Sequence, residues 1–170
     1  MTSLMVRGEI VALVPRLRRF CLALTRSVDA GDDLAQSAIE RALSRIDQWQ
    51  PGTRLDSWMF RIAQNIFIDE MRSAKRRGTQ VDVAALDAVA GDDGRRVTEA
   101  RSDIARARQA IAALPDDQRV LVALVIIDGQ SYKDTAAILD IPIGTVMSRI
   151  ARARQSIAAF VNHAPNALPA

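Results

Sequence analysis

Apolar residues return every three or four positions along most of this chain, the spacing of helices that bury one face. Val11, Val14, Leu17, Cys21 and Leu24 form the first stripe, and Pro15 inside it predicts a kink or restart because proline has no amide hydrogen to give. Asp29–Asp33 (DAGDD) reads as a turn that sets acids at the start of a second helix, where the dipole favours them. Leu34, Ala38, Arg41–Ala42 and Ile46 mark that helix, and Pro51–Gly52 breaks the chain after it. Leu55, Trp58–Met59, Ile62 and Ile66 carry a third, long helix that runs out in Lys75, Arg76 and Arg77.

Residues 78–103 lose the pattern. They hold six acids against three arginines, a GDDG run and no aromatic ring, which predicts a flexible linker with at most a short helical piece near Val83–Val89. Periodicity resumes at Ile104, passes Ile111 and breaks at Leu114–Pro115. Val120–Ile127 is β-branched enough to suit a helix or a strand, Gly129 stops it, and two short helices follow. The fold class is therefore all-α: two small helical domains, at 1–77 and 104–162, with a linker at 78–103 and a tail at 163–170.

The last two helices have the grammar of a helix-turn-helix. Ser131 is a good N-cap, Ala136 is small where two helices cross, Asp140 tolerates a left-handed turn, and Pro142 can open the next helix. On a 100° wheel, Val146, Ile150, Ala153 and Ile157 fall on one side of that second helix. Ser148, Ala151, Arg152 and Gln155 fall opposite, with Arg149 and Arg154 on the flanks. A helix in a DNA major groove needs that layout, donors at the pole for base edges and cations on the shoulders for phosphates. The same residues also suit a solvated helix whose arginines face its C-terminal dipole. No acid occurs after Asp140, and a merely solvated face usually mixes signs.

Composition changes the picture mainly by exclusion. The 170 residues are 49% hydrophobic and 25% charged, ordinary for a globular protein, and the net charge is only +3, so basic character is local. One cysteine rules out an internal disulfide, and no run approaches a membrane span or a signal peptide. These features predict a cytoplasmic protein without membrane insertion. No nucleophile, base and oxyanion site assembles, and no metal or cofactor site is evident, so an enzyme is not expected. Cys21 reads as core packing and His163 as a tail residue. Four of the seven aromatic residues, Trp49, Trp58, Phe60 and Phe67, fall within nineteen positions, beside a polar stripe of Arg61, Asn65 and Arg72. Rings beside cations suit single-stranded nucleic acid, on which bases stack; a helix packed on two sides would look the same.

Taken together, DAGDDLAQSAIERAL, GTRLDSWMFRIAQNIFIDEMRSAKRR and ALPDDQRVLVALVIIDGQSYKDTAAILDIPIGTVMSRIARARQSI resemble regions 2 and 4 of the extracytoplasmic-function (group IV) sigma factors. The resemblance covers roughly residues 9–77 and 104–160. It implies a subunit that directs core RNA polymerase to particular promoters. Asp32, Asp33, Leu34, Gln36 and Arg41 would bind the β′ clamp helices, and the β subunit flap would meet the C-terminal domain. Trp49, Arg54, Trp58, Arg61, Asn65, Arg72, Lys75, Arg76 and Arg77 would melt and hold the −10 element, a flipped base entering a pocket. Thr145, Met147, Ser148, Arg149, Ala151, Arg152, Arg154 and Gln155 would read the −35 element. Met147 departs from the family's usual Lys or Arg, and Ala151 is small where some members place a larger contact residue.

The segments WQPGTRLDSWMFRIAQNIF and LVPRLRRFCLALT are also similar to the subgroup that runs the general stress response of alphaproteobacteria. Members of that subgroup are held by a small helical anti-sigma factor, so the free protein is expected as a monomer or as a heterodimer with such a factor. Two other readings stay open: a sigma mimic that titrates an anti-sigma factor, and a stand-alone helix-turn-helix repressor. The repressor would need a dimer to read two half-sites and leaves the N-terminal half unexplained.

Overall fold

The structure, a computed structural model, describes residues 3–77 and 96–163, among which there are seven α-helices and no strand. In order they are α1 (Ser3–Thr25), α2 (Val28–Ser44), α3 (Leu55–Arg76), α4 (Arg96–Ala112), α5 (Asp116–Val122), α6 (Tyr132–Leu139) and α7 (Ile143–His163). A 3-10 turn (Ile46–Gln48) follows α2, and a π-helical turn (Ala123–Ile127) continues α5. The ambiguous run Val120–Ile127 is thus helical throughout, ended by Gly129 at φ 78°, a conformation open to glycine because it has no Cβ. The helical piece expected near Val83–Val89 lies outside the described residues.

Three local expectations need correction. Helix α1 runs unbroken through Pro15, because proline costs one bond to the carbonyl four residues back while Ile10 and Leu17, each 1% exposed, anchor both sides. Its buried face is Val6, Ile10, Leu17, Phe20, Cys21 and Leu24; Val11 is 69% exposed. Helix α2 starts at Val28 rather than after the acids, since Ser27 accepts the Ala30 amide and so caps it, leaving DAGDD within the first turns. Helix α4 begins at Arg96, eight residues before the apolar stripe at Ile104 made it visible.

Gly31 shows why α1 and α2 can cross closely. A Cβ built there would stand 2.7 Å from Leu22 Cδ2 and 2.9 Å from Leu22 Cα, and the second contact is with backbone that cannot step aside. Gly31→Ala is expected to destabilise the chain by about 1–3 kcal/mol, the usual cost of overpacking, read as a lowered urea midpoint. An unchanged midpoint would mean the crossing can widen freely.

The core does not divide where the sequence pattern does. The larger cluster joins α1, α2 and α3 but also takes in Val120, Ala123, Leu124 and Ile138 from the C-terminal half. The smaller one, around Leu121, Val122, Val146, Ile150 and Ala153, belongs to the C-terminal helices. Helix α3 therefore buries two sides, one on α1 and α2 and one on α6. That explains its rings: Phe60 (2% exposed) and Phe67 (4%) are core, with Phe20 edge-on to Phe60 at 5.1 Å between centroids. Cys21 is fully buried, and burial, with Asp32 and Glu70 adding, pushes its thiol up to about 12, so it is inert.

Candidate nucleic-acid interface

Helix α7 has the two poles that its sequence predicts. Val146, Ile150 and Ala153 are 0–1% exposed, with Ile157 packed beside them. Ser148, Ala151, Arg152, Gln155 and Arg154 are exposed on the outside, with Met147 at 54%. Thr145 is half-buried, and its carbonyl accepts from Ser148 Oγ. The geometry follows from the turn: Ser131 Oγ accepts the Asp134 amide, Asp140 sits left-handed at φ 53°, ψ 48°, and the Pro142 carbonyl takes the Thr145 and Val146 amides. Arg149 differs from its neighbours by pairing with Asp117 at 3.4 Å.

On α3, Asn65, Arg72, Lys75, Arg76 and Arg77 are exposed along one side, and Arg61 is exposed beside them. Trp58 is half-buried against the larger core. Trp49 is a correction: at 7% exposure it sits in that core, so no base can stack on it in this conformation. Of the four clustered rings, Trp58 alone keeps part of its surface exposed. The physical reason is the second packed side of α3, which periodicity on one helix does not reveal.

Along α2, Asp33, Gln36 and Arg41 are exposed, with Gln36 donating to Glu40. Asp32 is held in a bidentate pair by Arg18 at 2.6 and 2.9 Å. Leu34 is the second correction among candidate residues: at 2% exposure it faces the core and offers no surface to a partner. Its position follows from the stripe it shares with Ala38 and Ala42, both 0–1% exposed.

Sequence reasoning missed the polar contacts that join the two halves. Arg16 donates to both oxygens of Asp128 (3.0 and 2.8 Å) and to Asp56 (3.3 Å). Gln130, 5% exposed, donates to Asp56 (3.2 Å) and Asp128 (2.8 Å) and accepts from Arg54 (2.9 Å). Burial alone would raise the Asp56 carboxyl, but the bonds from Arg54, Gln130 and the Ser57 amide outweigh it and hold the group at about 2. Its stabilising contribution is thus present above the ordinary carboxylate range and is lost as pH falls toward 2. Arg54 also meets Asp134 at 2.6 Å, and its own pKa is raised, chiefly by Asp56. Arg61 donates through Nε to the Ile138 carbonyl at 3.2 Å and through Nη2 to that of Ala137. Arg119, 1% exposed, donates to the carbonyls of Leu24 and Leu114 at 3.0 Å each and to Asp116.

Among the described residues no group of three or more His, Cys, Asp or Glu could hold a metal, and no helix is long and apolar enough to cross a membrane. A groove of about 290 Å³ opens between α1, α4 and the π-turn. Leu22, Ala23, Ile111 and Ile127 line it, and Arg19, Arg26 and Arg108 stand at its rim.

Comparison with known proteins matches residues 96–157 to "Sigma-70, region 4" and residues 10–64 to "Sigma2 domain of PhyR". The chain is 36% identical over 156 residues to the ECF RNA polymerase sigma factor EcfG of Rhodopseudomonas palustris, covering 92% of this chain and 84% of that protein. It is 34% identical over 145 residues to the ECF RNA polymerase sigma-E factor of Escherichia coli, covering 79% and 76%. Among solved structures it superimposes on the sigma factor RpoE of Bartonella quintana, crystallised with the anti-sigma factor NepR. The TM-score is 0.76 at 30% identity, over 93% of this chain and 97% of that one.

Proposed function

The chain belongs to the extracytoplasmic-function RNA polymerase sigma factors, and from that premise we propose how its surfaces share the work of promoter recognition. The observation that carries the reading is the division of α7 into a pole at 0–1% exposure and an opposite pole of exposed Ser148, Arg152 and Gln155. A helix of that shape enters a major groove with its buried side still on its own domain. Ser148, Arg152 and Gln155 face base edges at −35, while Arg149 and Arg154 reach phosphates. Residues 104–162 act there, and residues 1–77 act on the −10 element.

In the N-terminal half, Asn65 lies between Arg61 and Arg72 on the open side of α3, where a base swung out of the melted strand can meet its amide. Lys75, Arg76 and Arg77 follow the phosphates away from it. Capture of the unpaired strand is what stabilises the opened promoter, since Watson–Crick edges cannot be read inside a stacked duplex. The exposed part of α2, Asp33, Gln36 and Arg41, serves core polymerase.

The partner that restrains the chain is an anti-sigma factor, and the groove rimmed by Arg19, Arg26 and Arg108 suits a helix with an apolar stripe and acidic edges. The likeness to EcfG supports reading the chain as a member of the general-stress subgroup.

Run-off transcription on pooled genomic promoter fragments, with core RNA polymerase and with or without this chain, tests the proposal. New discrete transcripts are expected, and Asn65→Ala is expected to abolish most of them while leaving core binding within about twofold. Silence despite core binding, or despite tight binding to an anti-sigma protein, would move the reading to a sigma mimic.

A further inference from the structure

A second cavity, of about 400 Å³, lies where the second half of α3 meets the start of α5 and the turn between α6 and α7. Phe67, Ile68 and Met71 of α3 line it together with Val120, Leu139 and Ile141. Into this apolar lining Gln64 brings an amide. Gln64 is 9% exposed, and its side chain makes no hydrogen bond among the described residues. A buried amide without a partner is destabilising, and a ligand that supplies the partner recovers the loss. Two cations complete the lining. Arg72 is exposed and makes no ion pair among the described residues, whereas Arg149 pairs with Asp117 at 3.4 Å. Asp116, also in the lining, is held by Arg26 at 3.1 Å and by Arg119.

An apolar slot with a few convergent polar groups is the usual make-up of a small-molecule site. The polar groups here narrow the ligand. An amide presents a donor beside an acceptor, which is the pattern that meets adenine at N7 and N6, whereas guanine offers two acceptors on that edge. Arg72 has its whole charge to give, which suits one phosphate, while Asp116 and Asp117 on the same wall repel a polyphosphate. We propose that this cavity binds an adenine nucleotide with a single phosphate. The base lies between the apolar walls with its N6 and N7 on Gln64, and the phosphate meets Arg72 and Arg149. Those two arginines are also the ones read above as contacts to the −10 and −35 elements, so the nucleotide and promoter DNA exclude each other. The exclusion rests on that DNA reading; the site itself does not.

Equilibrium dialysis of labelled AMP against the full chain, with GMP, adenosine and ATP as competitors, tests the site. AMP is expected to bind about 5- to 150-fold more tightly than GMP, the worth of one bidentate base contact, and more tightly than adenosine or ATP. Gln64→Leu keeps the size of the side chain and removes the amide, so it is expected to erase the preference for AMP over GMP. Gln64→Met takes its place should leucine lose cooperative unfolding. Arg72→Ala, at an exposed position, is expected to erase the preference for AMP over adenosine and to leave adenosine binding unchanged. No retention of AMP by the chain, equal affinity for AMP and GMP, or a preference that survives loss of the Gln64 amide would each overturn the proposal.

The exclusion has its own readout, the core polymerase concentration at which half of a promoter duplex is bound when chain and core are added together. AMP at about ten times its Kd is expected to raise that midpoint by about tenfold, as mass action requires of exclusive binding. In Gln64→Leu, which alters no residue read as a DNA contact, the midpoint is expected to stay put. AMP binding without a shift in the unaltered chain would overturn the exclusion. Failure to form any promoter complex with core polymerase would overturn the DNA reading instead, and dialysis would still decide the site.

Discussion

Arg119→Ala is expected to lower stability by about 2–6 kcal/mol, because it leaves two buried carbonyls unsatisfied at about 1–3 kcal/mol each. Its side chain is 1% exposed and reaches three acceptors: the Leu24 carbonyl in the last turn of α1, the Leu114 carbonyl ahead of α5, and Asp116. The guanidinium carbon also stands 6.0 Å from the centre of the Phe67 ring on α3. Burial lowers the arginine's pKa and nearby Arg26 adds to that, while Asp116 opposes both, so the group keeps its charge at the expense of solvation. Truncation orphans two carbonyls and leaves a cavity where α1, α3 and α5 meet. Domains of this size are stable by only about 5–15 kcal/mol, so the loss is a large share. Urea unfolding followed by circular dichroism reads it as a lower midpoint at unchanged slope. Arg119→Met separates the terms: it restores packing volume but no donor, and is expected to recover less than half the loss. A cost below 1 kcal/mol for alanine would mean that water replaces the side chain and that the network does not hold the halves together.

That residue also shows where sequence reasoning ends. Periodicity made most of the helices legible because they have an apolar face, and the poles of α7 could be drawn on a wheel because no described residue covers its outside. Turn chemistry at Ser131 and Asp140 was legible for the same reason: each acts on its own neighbours in the chain. What joins the halves was not legible. Arg16 and Asp128 stand 112 positions apart, Arg61 and Ile138 77, and nothing in a single sequence pairs such residues. The misplacement of Trp49 and Leu34 has one cause. A family role attaches to a position, whereas burial is decided by which neighbour covers that position. The start of α4 was missed because an amphipathic stripe is absent from RVTEARSD, not because the residues disfavour a helix.

Arg152→Ala is expected to weaken recognition of the −35 element by about 1–3 kcal/mol, or roughly 5- to 150-fold, while changing binding to a scrambled −35 sequence far less. Arg152 is the cation on α7 best placed for this. It lies on the exposed pole, and its one hydrogen bond among the described residues is a long one, Nε to the Ser148 carbonyl at 3.5 Å, which extends it along the helix without neutralising it. Arg149, by contrast, must first leave Asp117. The measurement is holoenzyme binding to matched and scrambled −35 duplexes across a salt series, because affinity at one salt concentration cannot separate base from phosphate contacts. Arg154→Ala, on the flank, is expected to weaken both duplexes alike and to reduce the salt slope by about 1. Met147, 54% exposed where the family usually has a cation, supplies the converse test. Met147→Lys is expected to tighten both duplexes and to steepen the slope by about 0.9, the signature of one added phosphate contact. Equal losses on the two duplexes for Arg152→Ala would make Arg152 a backbone contact and leave base readout to Ser148 and Gln155.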